Sequence, residues 1–294
     1  MSSPVPAPTG PDPLSPLSAW RAEWDKDAYR EINPDFHELK YRSRKRQAVI
    51  TQDWSGAAVC RDDKKKSIVA VEATWRVPTS SPPKDFIEGV WYTASSWIGI
   101  DGDGEKGDMS VDILQAGVDS DVMSYGGTLA WWTGVWWQWV PGNTIYVTNF
   151  PVSPGDTIHC VIARAKDSQT NAAISLHNKT NGIAASFPVQ APAGTVLVGN
   201  CAEWIVEKVE LVTQTRALAN HGAIYFDGAI AHTDDGNTLT PQPSNQAKFT
   251  KTYAIKGQDK KCVSTGYIRG DKLVCCAYEG PVAPSRVQPN FVNP

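Results

Sequence analysis

Short apolar runs separated by turn-forming residues recur along most of this chain. Runs such as SIVAVEATWRVP (67–78) and WYTASSWIGI (91–100) are each followed by a turn cluster. β-branched and aromatic residues alternate with polar ones, and no segment of helical period is long enough to compete. With 23 Gly, 21 Pro and 12 Trp in 294 residues, the pattern predicts an all-β fold, an antiparallel β-sandwich of two large sheets.

Charge and hydrophobicity narrow the set of partners. The formal net charge is -3, and basic residues are not interleaved with aromatic ones as in a nucleic-acid binder. No apolar stretch reaches the roughly 18 residues that a membrane helix needs. We therefore expect a monomer with no nucleic-acid partner and no membrane partner.

The first 46 residues differ from the rest of the chain. A Pro-rich start without an apolar signal-peptide core precedes a charge-dense stretch that ends in the basic cluster 42–46. This composition predicts a pro-segment over residues 1–46, flexible or partly helical, although a plain N-terminal extension fits it too. Residues 47–294 are then one sandwich domain, with a final hairpin at about 250–280 that turns at Gly270-Asp271.

Alternation along four strand-like segments predicts one sheet face with unusual chemistry. In WIGID, ILQAGVD, WWQWV and AEWIVE, the apolar residues face one way and the remaining residues face the other. The second face would carry Trp97, Asp101, Gln115, Asp119, Trp136, Gln138, Glu203 and Glu207. These residues would form a groove with aromatic walls and a polar floor, or else an ordinary outward face of a sandwich.

Other catalytic and metal-binding signatures are missing from the sequence. No GxSxG, HExxH or Asp-Thr/Ser-Gly motif occurs, and the five His residues are scattered. The DGDGEK stretch at 101–106 is better explained as a turn than as a calcium loop, because Glu105 and Lys106 replace the expected ligand and Gly. We expect no metal and no cofactor.

Two functions from other classes also fit the residues. The Trp content is compatible with a non-catalytic carbohydrate-binding sandwich that uses the indoles as stacking platforms. A glycosidase with Glu203 and Glu207 as paired carboxylates fits less well. Residues four apart on one strand lie roughly 13 Å apart, beyond the separation that such a pair needs.

Three segments resemble the eqolisins, the glutamic peptidases: SWIGIDGD (96–103), DILQAGVD (112–119) and NCAEWIVEKVE (200–210). The resemblance implies a bent sheet that forms a substrate groove and a secreted endopeptidase that cleaves protein or peptide substrates at acid pH. It also implies that Gln115 and Glu203 are the catalytic pair. Asp119 would orient the Gln115 amide, and Trp97 and Trp136 would contact substrate side chains. The substrate-binding residues would be Trp97, Asp101, Asp119, Trp136 and Gln138.

The chain also departs from the family pattern. Gln138 stands where family members often carry a Glu, and the loop from Gly102 to Met109 lacks a Cys that would pair with Cys201. The six Cys residues allow 15 pairings. From the residues alone, the most natural bridge joins Cys262 to Cys275 or Cys276 across the C-terminal hairpin.

Overall fold

The computed structural model describes residues 30–39, 54–61, 66–102, 112–209, 217–241, 250–257 and 264–280. These residues form the following strands: β1 Arg30–Glu31, β2 Phe36–Leu39, β3 Trp54–Arg61, β4 Ile68–Arg76, β5 Trp91–Ile100, β6 Leu114–Tyr125, β7 Thr128–Trp139, β8 Thr144–Val147, β9 Thr157–Arg164, β10 Asn171–Asn178, β11 Ile183–Gln190, β12 Cys201–Glu207, β13 Ala217–Leu218, β14 Ala223–Thr233, β15 Thr238–Leu239, β16 Thr250–Gly257, β17 Ser264–Arg269 and β18 Leu273–Tyr278. No helix capable of crossing a membrane occurs in this part of the chain.

The strands form two sheets, which we call sheet A and sheet B. Sheet A has the order β1-β11-β10-β9-β4-β14-β18-β17. Sheet B has the order β3-β12-β5-β6-β7-β8-β2. Its pairings are antiparallel except for the short parallel contact of β13 with β5, and in sheet A only β1 with β11 is parallel. The predicted all-β sandwich is confirmed.

The core lies between the facing sides of the two sheets. Sheet B contributes the apolar face expected from the alternation, including Ile98, Leu114 and Trp204, none of which is solvent-exposed. Trp204 also donates from Nε1 to the carbonyl of Glu72 in sheet A, 3.0 Å away. Because this face is committed to the core, the polar face of sheet B points away from sheet A.

The C-terminal segment ties the two sheets together. The expected hairpin is present as β17 and β18, and β16 pairs with β3 of sheet B before it pairs with β17 of sheet A. A Cβ placed on Gly266 would lie 2.0 Å from the carbonyl oxygen of Gly56. The two backbones therefore touch at a point where only glycine fits.

Residues 30–39 are the described part of the N-terminal segment. They form two short strands: β1 adds to the edge of sheet A and β2 adds to the edge of sheet B. The ring of Phe36 packs edge-on against Phe187 at 5.0 Å, and the Asn149 side chain bonds the backbone of Asn33 and Asp35. This segment covers open edges of both sheets, which favours strand pairing over helix.

The predicted cysteine pairing is wrong. Cys60 on β3 and Cys201 on β12 are directly opposite in the register and form a disulfide, so Cys201 does have a partner. Cys275 and Cys276 are buried free thiols, which excludes a bridge from either one to Cys262. Burial raises the pKa of the Cys276 thiol and keeps it unreactive.

Candidate active site

Gln115 and Glu203 lie on the same face of sheet B, on either side of one glycine. In the register, Gly99 on β5 is opposite Glu203 on β12 and also opposite Gln115 on β6. Directly opposite residues in antiparallel strands share a face, and two strand spacings amount to about 10 Å. Side chains from the two outer strands can therefore meet above the middle one.

Gly99 leaves space above β5 for the Glu203 carboxylate. A Cβ at this position would lie 3.3 Å from Oε2 of Glu203 and 3.0 Å from Cζ3 of Trp97. The Glu203 carboxylate thus leans over β5 towards β6, and the Trp97 ring lies beside it. Any larger residue at 99 would push against the carboxylate.

The Gln115 amide is held by a second amide and a turn. Its Nε2 donates to Oε1 of Gln138 on β7 at 2.9 Å, and Nε2 of Gln138 donates to the carbonyl of Gly142 at 2.9 Å. The register explains the first contact, because Gln115 and Gln138 are directly opposite each other. Oε1 of Gln115 is buried and has no hydrogen-bond partner among the described residues.

Asp119 does not orient the Gln115 amide, contrary to the prediction. Its carboxylate accepts a short hydrogen bond from the hydroxyl of Tyr146 on β8. Four residues along one strand separate Asp119 from Gln115, which is roughly 13 Å and too far for a direct contact. The neighbour across the strand, Gln138, takes the role that was assigned to Asp119.

The predicted tryptophans have fixed orientations on this face. Trp97 donates from Nε1 to Oε2 of Glu207 at 3.1 Å, and Trp136 donates from Nε1 to the Ser95 hydroxyl at 3.1 Å. The Trp97 ring also packs edge-on against Trp54, with 4.9 Å between centroids. Both predicted indoles thus form apolar walls whose polar atoms are already bonded.

Asp101 lies beyond the end of β5 and turns away from the groove. It is fully buried, and its carboxylate accepts from the backbone N–H groups of Val198, Gly199 and Asn200 at 2.5–3.0 Å. Burial raises the pKa of Asp101, while these backbone donors oppose the rise. Asp101 therefore anchors the loop that leads into β12.

The site is dry and rich in carboxylates. Glu203 has 0% of its surface exposed and Gln115 has 6%, and Asp119 and Glu207 are also buried. In such surroundings, hydrogen bonds and charges act more strongly than in water. Among the residues that the structure describes, no group of His, Cys, Asp or Glu side chains is placed to share a metal ion.

Sequence reasoning missed three contributors to this site. Gly99 keeps the space open, Tyr146 bonds Asp119, and the Gly142 carbonyl orients the amide of Gln138. Alternation in TIYV does place Tyr146 on one face, but the pairing of β8 with β7 was needed to bring it to Asp119. No sequence signal pointed to the Gly142 carbonyl, because a backbone acceptor carries none.

Known proteins are similar to this chain in sequence. A model of the Peptidase A4 family matches residues 52–278. Aspergillopepsin-2 from Aspergillus niger is 28% identical over 209 residues, which cover 65% of this chain and 67% of that protein. The similarity extends over the strands that carry Gln115 and Glu203.

Solved structures of glutamic peptidases have the same fold. Scytalido-glutamic peptidase, solved with a transition state analog inhibitor, aligns with a TM-score of 0.59 and 25% identity, over 77% of this chain and 98% of that chain. Aspergilloglutamic peptidase from Aspergillus niger aligns with a TM-score of 0.50 and 26% identity, over 64% and 99% of the two chains.

The β-sandwich fold and the match to the family model define the class of protein, a glutamic peptidase. The chain belongs to the Peptidase A4 family, the eqolisins, as the three segments noted in the sequence had indicated. It is accordingly a hydrolase, a glutamic endopeptidase that acts on protein or peptide substrates.

Proposed function

We propose that this protein cleaves peptide bonds in acid with Glu203 and Gln115 as its catalytic pair. The observation that carries the proposal is the position of Gly99, which lies opposite both residues and leaves 3.3 Å between its absent Cβ and the Glu203 carboxylate. A carboxylate and an amide that reach over the same glycine can act on one substrate carbonyl from two sides.

The carboxylate supplies proton transfer in both halves of the reaction. A glutamate side chain can accept a proton when it is ionised. Glu203 in this form takes a proton from a water molecule as the water oxygen attacks the peptide carbonyl carbon. The protonated Glu203 then gives that proton to the leaving amine as the C–N bond breaks, which restores the carboxylate.

The amide stabilises the charge that forms on the substrate oxygen. One N–H of Gln115 is used by Gln138, and the other is free to donate to the oxyanion of the tetrahedral intermediate. An amide does not titrate, so the donor persists across the acidic range. Removal of one such donor typically lowers kcat by 10²–10³-fold.

The aromatic walls and the neighbouring carboxylates are proposed to bind the peptide. Trp136 and Trp97 flank the pair with fixed rings, and the Asp119 carboxylate lies farther along β6 on the same face. An extended peptide laid across these strands would meet apolar surface next to the reacting carbonyl. No observation in the structure favours the carbohydrate-binding alternative over this assignment.

Comparison of single-residue variants tests the catalytic pair. The wild type, Glu203→Gln and Gln115→Ala are incubated with a denatured protein near pH 3, and internal cleavage is followed by mass spectrometry of the products. We expect kcat to fall by about 10²–10⁴-fold for Glu203→Gln and about 10²–10³-fold for Gln115→Ala. Glu88→Gln makes the same change at an exposed residue that bonds only the Ser124 hydroxyl and a turn N–H, so it should keep full activity. Unchanged rates in both site variants would refute the assignment.

We further propose that the protein is exported as a zymogen and acts outside the cell as a monomer. The basic cluster that ends at Arg46 and the secreted character of the family support this, and cleavage between Arg46 and Gln47 would release the sandwich. N-terminal sequencing of the active form after acid incubation tests the boundary. Activity with residue 1 still attached would contradict it.

A further inference from the structure

Two amide side chains and one backbone carbonyl form a continuous chain beside the proposed catalytic glutamate. The Gly142 carbonyl accepts from Nε2 of Gln138, and Oε1 of Gln138 accepts from Nε2 of Gln115. Each contact is 2.9 Å long. A tight turn holds the carbonyl, since the N–H of Gly142 donates to the carbonyl of Trp139 at 2.7 Å.

The Gly142 carbonyl decides which group donates in each of these hydrogen bonds. A backbone carbonyl can only accept, so Gln138 must present its NH₂ group to Gly142. The oxygen of Gln138 then faces Gln115, and Gln115 must present its own NH₂ group in turn. A reversed Gln115 amide would place two oxygens against each other and lose the contact.

We propose that Gln138 is a positioning residue that fixes which end of the Gln115 amide is aimed at the scissile carbonyl. This inference rests on the proposed role of Gln115 in stabilising the oxyanion. Gln138 acts through Gln115 and does not itself touch the reacting atoms. It also replaces the substrate contact that the sequence had suggested for residue 138.

The amide at 138 makes this orientation independent of pH. A glutamate at the same position could copy the pattern only when protonated, with its O–H donating to Gly142 and its other oxygen accepting from Gln115. Once ionised, it would set a negative oxygen against the Gly142 carbonyl. A Glu at 138 would therefore keep these hydrogen bonds in acid. It would lose the bond to Gly142 as the pH rises through its pKa, which is near 4.3 for a free side chain.

Kinetics of three variants test the inference. The activity of Gln138→Glu relative to wild type should be close to one at pH 3 and fall about tenfold as the pH rises past its own pKa, to the level expected when the contact is lost. Gln138→Met, which keeps the volume but neither donates nor accepts strongly, should lower kcat about tenfold at every pH, with KM within twofold. Gln190→Glu makes the charge change at an exposed position in sheet A and should match wild type throughout.

Two kinetic outcomes would overturn the inference. One is a flat ratio of Gln138→Glu to wild type between pH 3 and 6. The other is a raised KM with unchanged kcat in Gln138→Met, because that pattern would make residue 138 a substrate contact.

A measurement without substrate separates this inference from the proposed function. The Gln115 side-chain NH₂ signal in a protein labelled with ¹⁵N-glutamine can be assigned by its loss in Gln115→Ala. In a Glu203→Gln background, which removes the titration of the neighbouring carboxylate, it should stay constant with pH when residue 138 is Gln and shift between pH 3 and 6 in Gln138→Glu. A shift without any peptidase activity in the wild type would uphold the positioning and refute the catalytic role. A signal that does not move in Gln138→Glu would refute the positioning itself.

Discussion

Protonation of His221, a buried residue near the C-terminal hairpin, should lower the stability of the folded protein in acid. Its Nε2 is 3.2 Å from the Ser264 hydroxyl, its ring packs edge-on against Tyr278, and its Nδ1 is buried without a hydrogen-bond partner among the described residues. Burial lowers the pKa of His221 from 6.5 to about 4. The unfolded chain therefore binds a proton at a higher pH than the folded protein does.

The size of the effect follows from the two pKa values. At pH 7.5 the imidazole is neutral in both states and carries no penalty. As the pH falls from 6.5 to about 4, protonation favours the unfolded chain, and below about 4 the penalty stays constant. The difference of 6.5 minus about 4 corresponds to about 3 kcal/mol of lost stability.

His221→Gln isolates this contribution. Glutamine can still bond Ser264 but cannot charge, and it lacks the ring contact with Tyr278. We expect the variant to be less stable than the parent by about 1 kcal/mol at pH 7.5 and more stable by about 2 kcal/mol at pH 3.5. The free energy of unfolding is measured by urea titration with Trp fluorescence. Both proteins carry Glu203→Gln to prevent self-digestion.

The test is how the difference in free energy of unfolding between His221→Gln and its parent depends on pH. His37→Gln makes the same change at an exposed imidazole and shows what the substitution does without burial. If the stability curves of His221→Gln and its parent run parallel from pH 7.5 to 3.5, the imidazole is not held neutral by the fold and the reasoning fails.

Three further outcomes are expected. Gly99→Ala should lower kcat at least tenfold, because its Cβ would displace the Glu203 carboxylate by some tenths of an ångström; circular dichroism should show an intact fold, and full activity would contradict the shared-space geometry. A chain that begins at Gln47 lacks β1 and β2, and its free energy of unfolding in urea titration should be about 2 kcal/mol lower. This is roughly the contribution of one half-buried Phe and a few net hydrogen bonds. Unchanged stability would mean that the edge strands contribute nothing. Replacement of both Cys60 and Cys201 by Ala should cost about 4–5 kcal/mol, because the bridge spans a separation of 141 residues; a loss below 1 kcal/mol would refute this estimate.

The sequence was sufficient to sort residues onto faces. Period-2 alternation is a local property of each strand, and it correctly separated Ile98 and Leu114 in the core from Gln115 and Glu203 on the outer face. The order of the strands could not be read in this way. That Gly99 is the residue between Gln115 and Glu203 is a consequence of register, which depends on pairings between segments far apart in the chain.

The errors have the same physical origin. Asp119 was given a partner along its own strand, whereas its contact is Tyr146 on a strand two places away in the sheet. Asp101 was assigned by alternation that continued past the point where β5 ends and the backbone enters a left-handed conformation with φ of 66°. Cys201 seemed unpaired because its partner, 141 positions away, adjoins it only through the pairing of β3 with β12.

Acid function and acid stability make opposite demands on this fold. Burial also lowers the pKa of His159 to about 4, against the opposing attraction of Glu72. Protonation of the two histidines, His159 and His221, should therefore lower the free energy of unfolding in acid by about 6 kcal/mol in total. Natural domains have only about 5–15 kcal/mol of stability to lose. The disulfide that joins β3 to β12 contributes about 5 kcal/mol at any pH at which it stays oxidised. It is two residues from Glu203, so the same bridge that offsets the histidines also holds the strand that carries the proposed base.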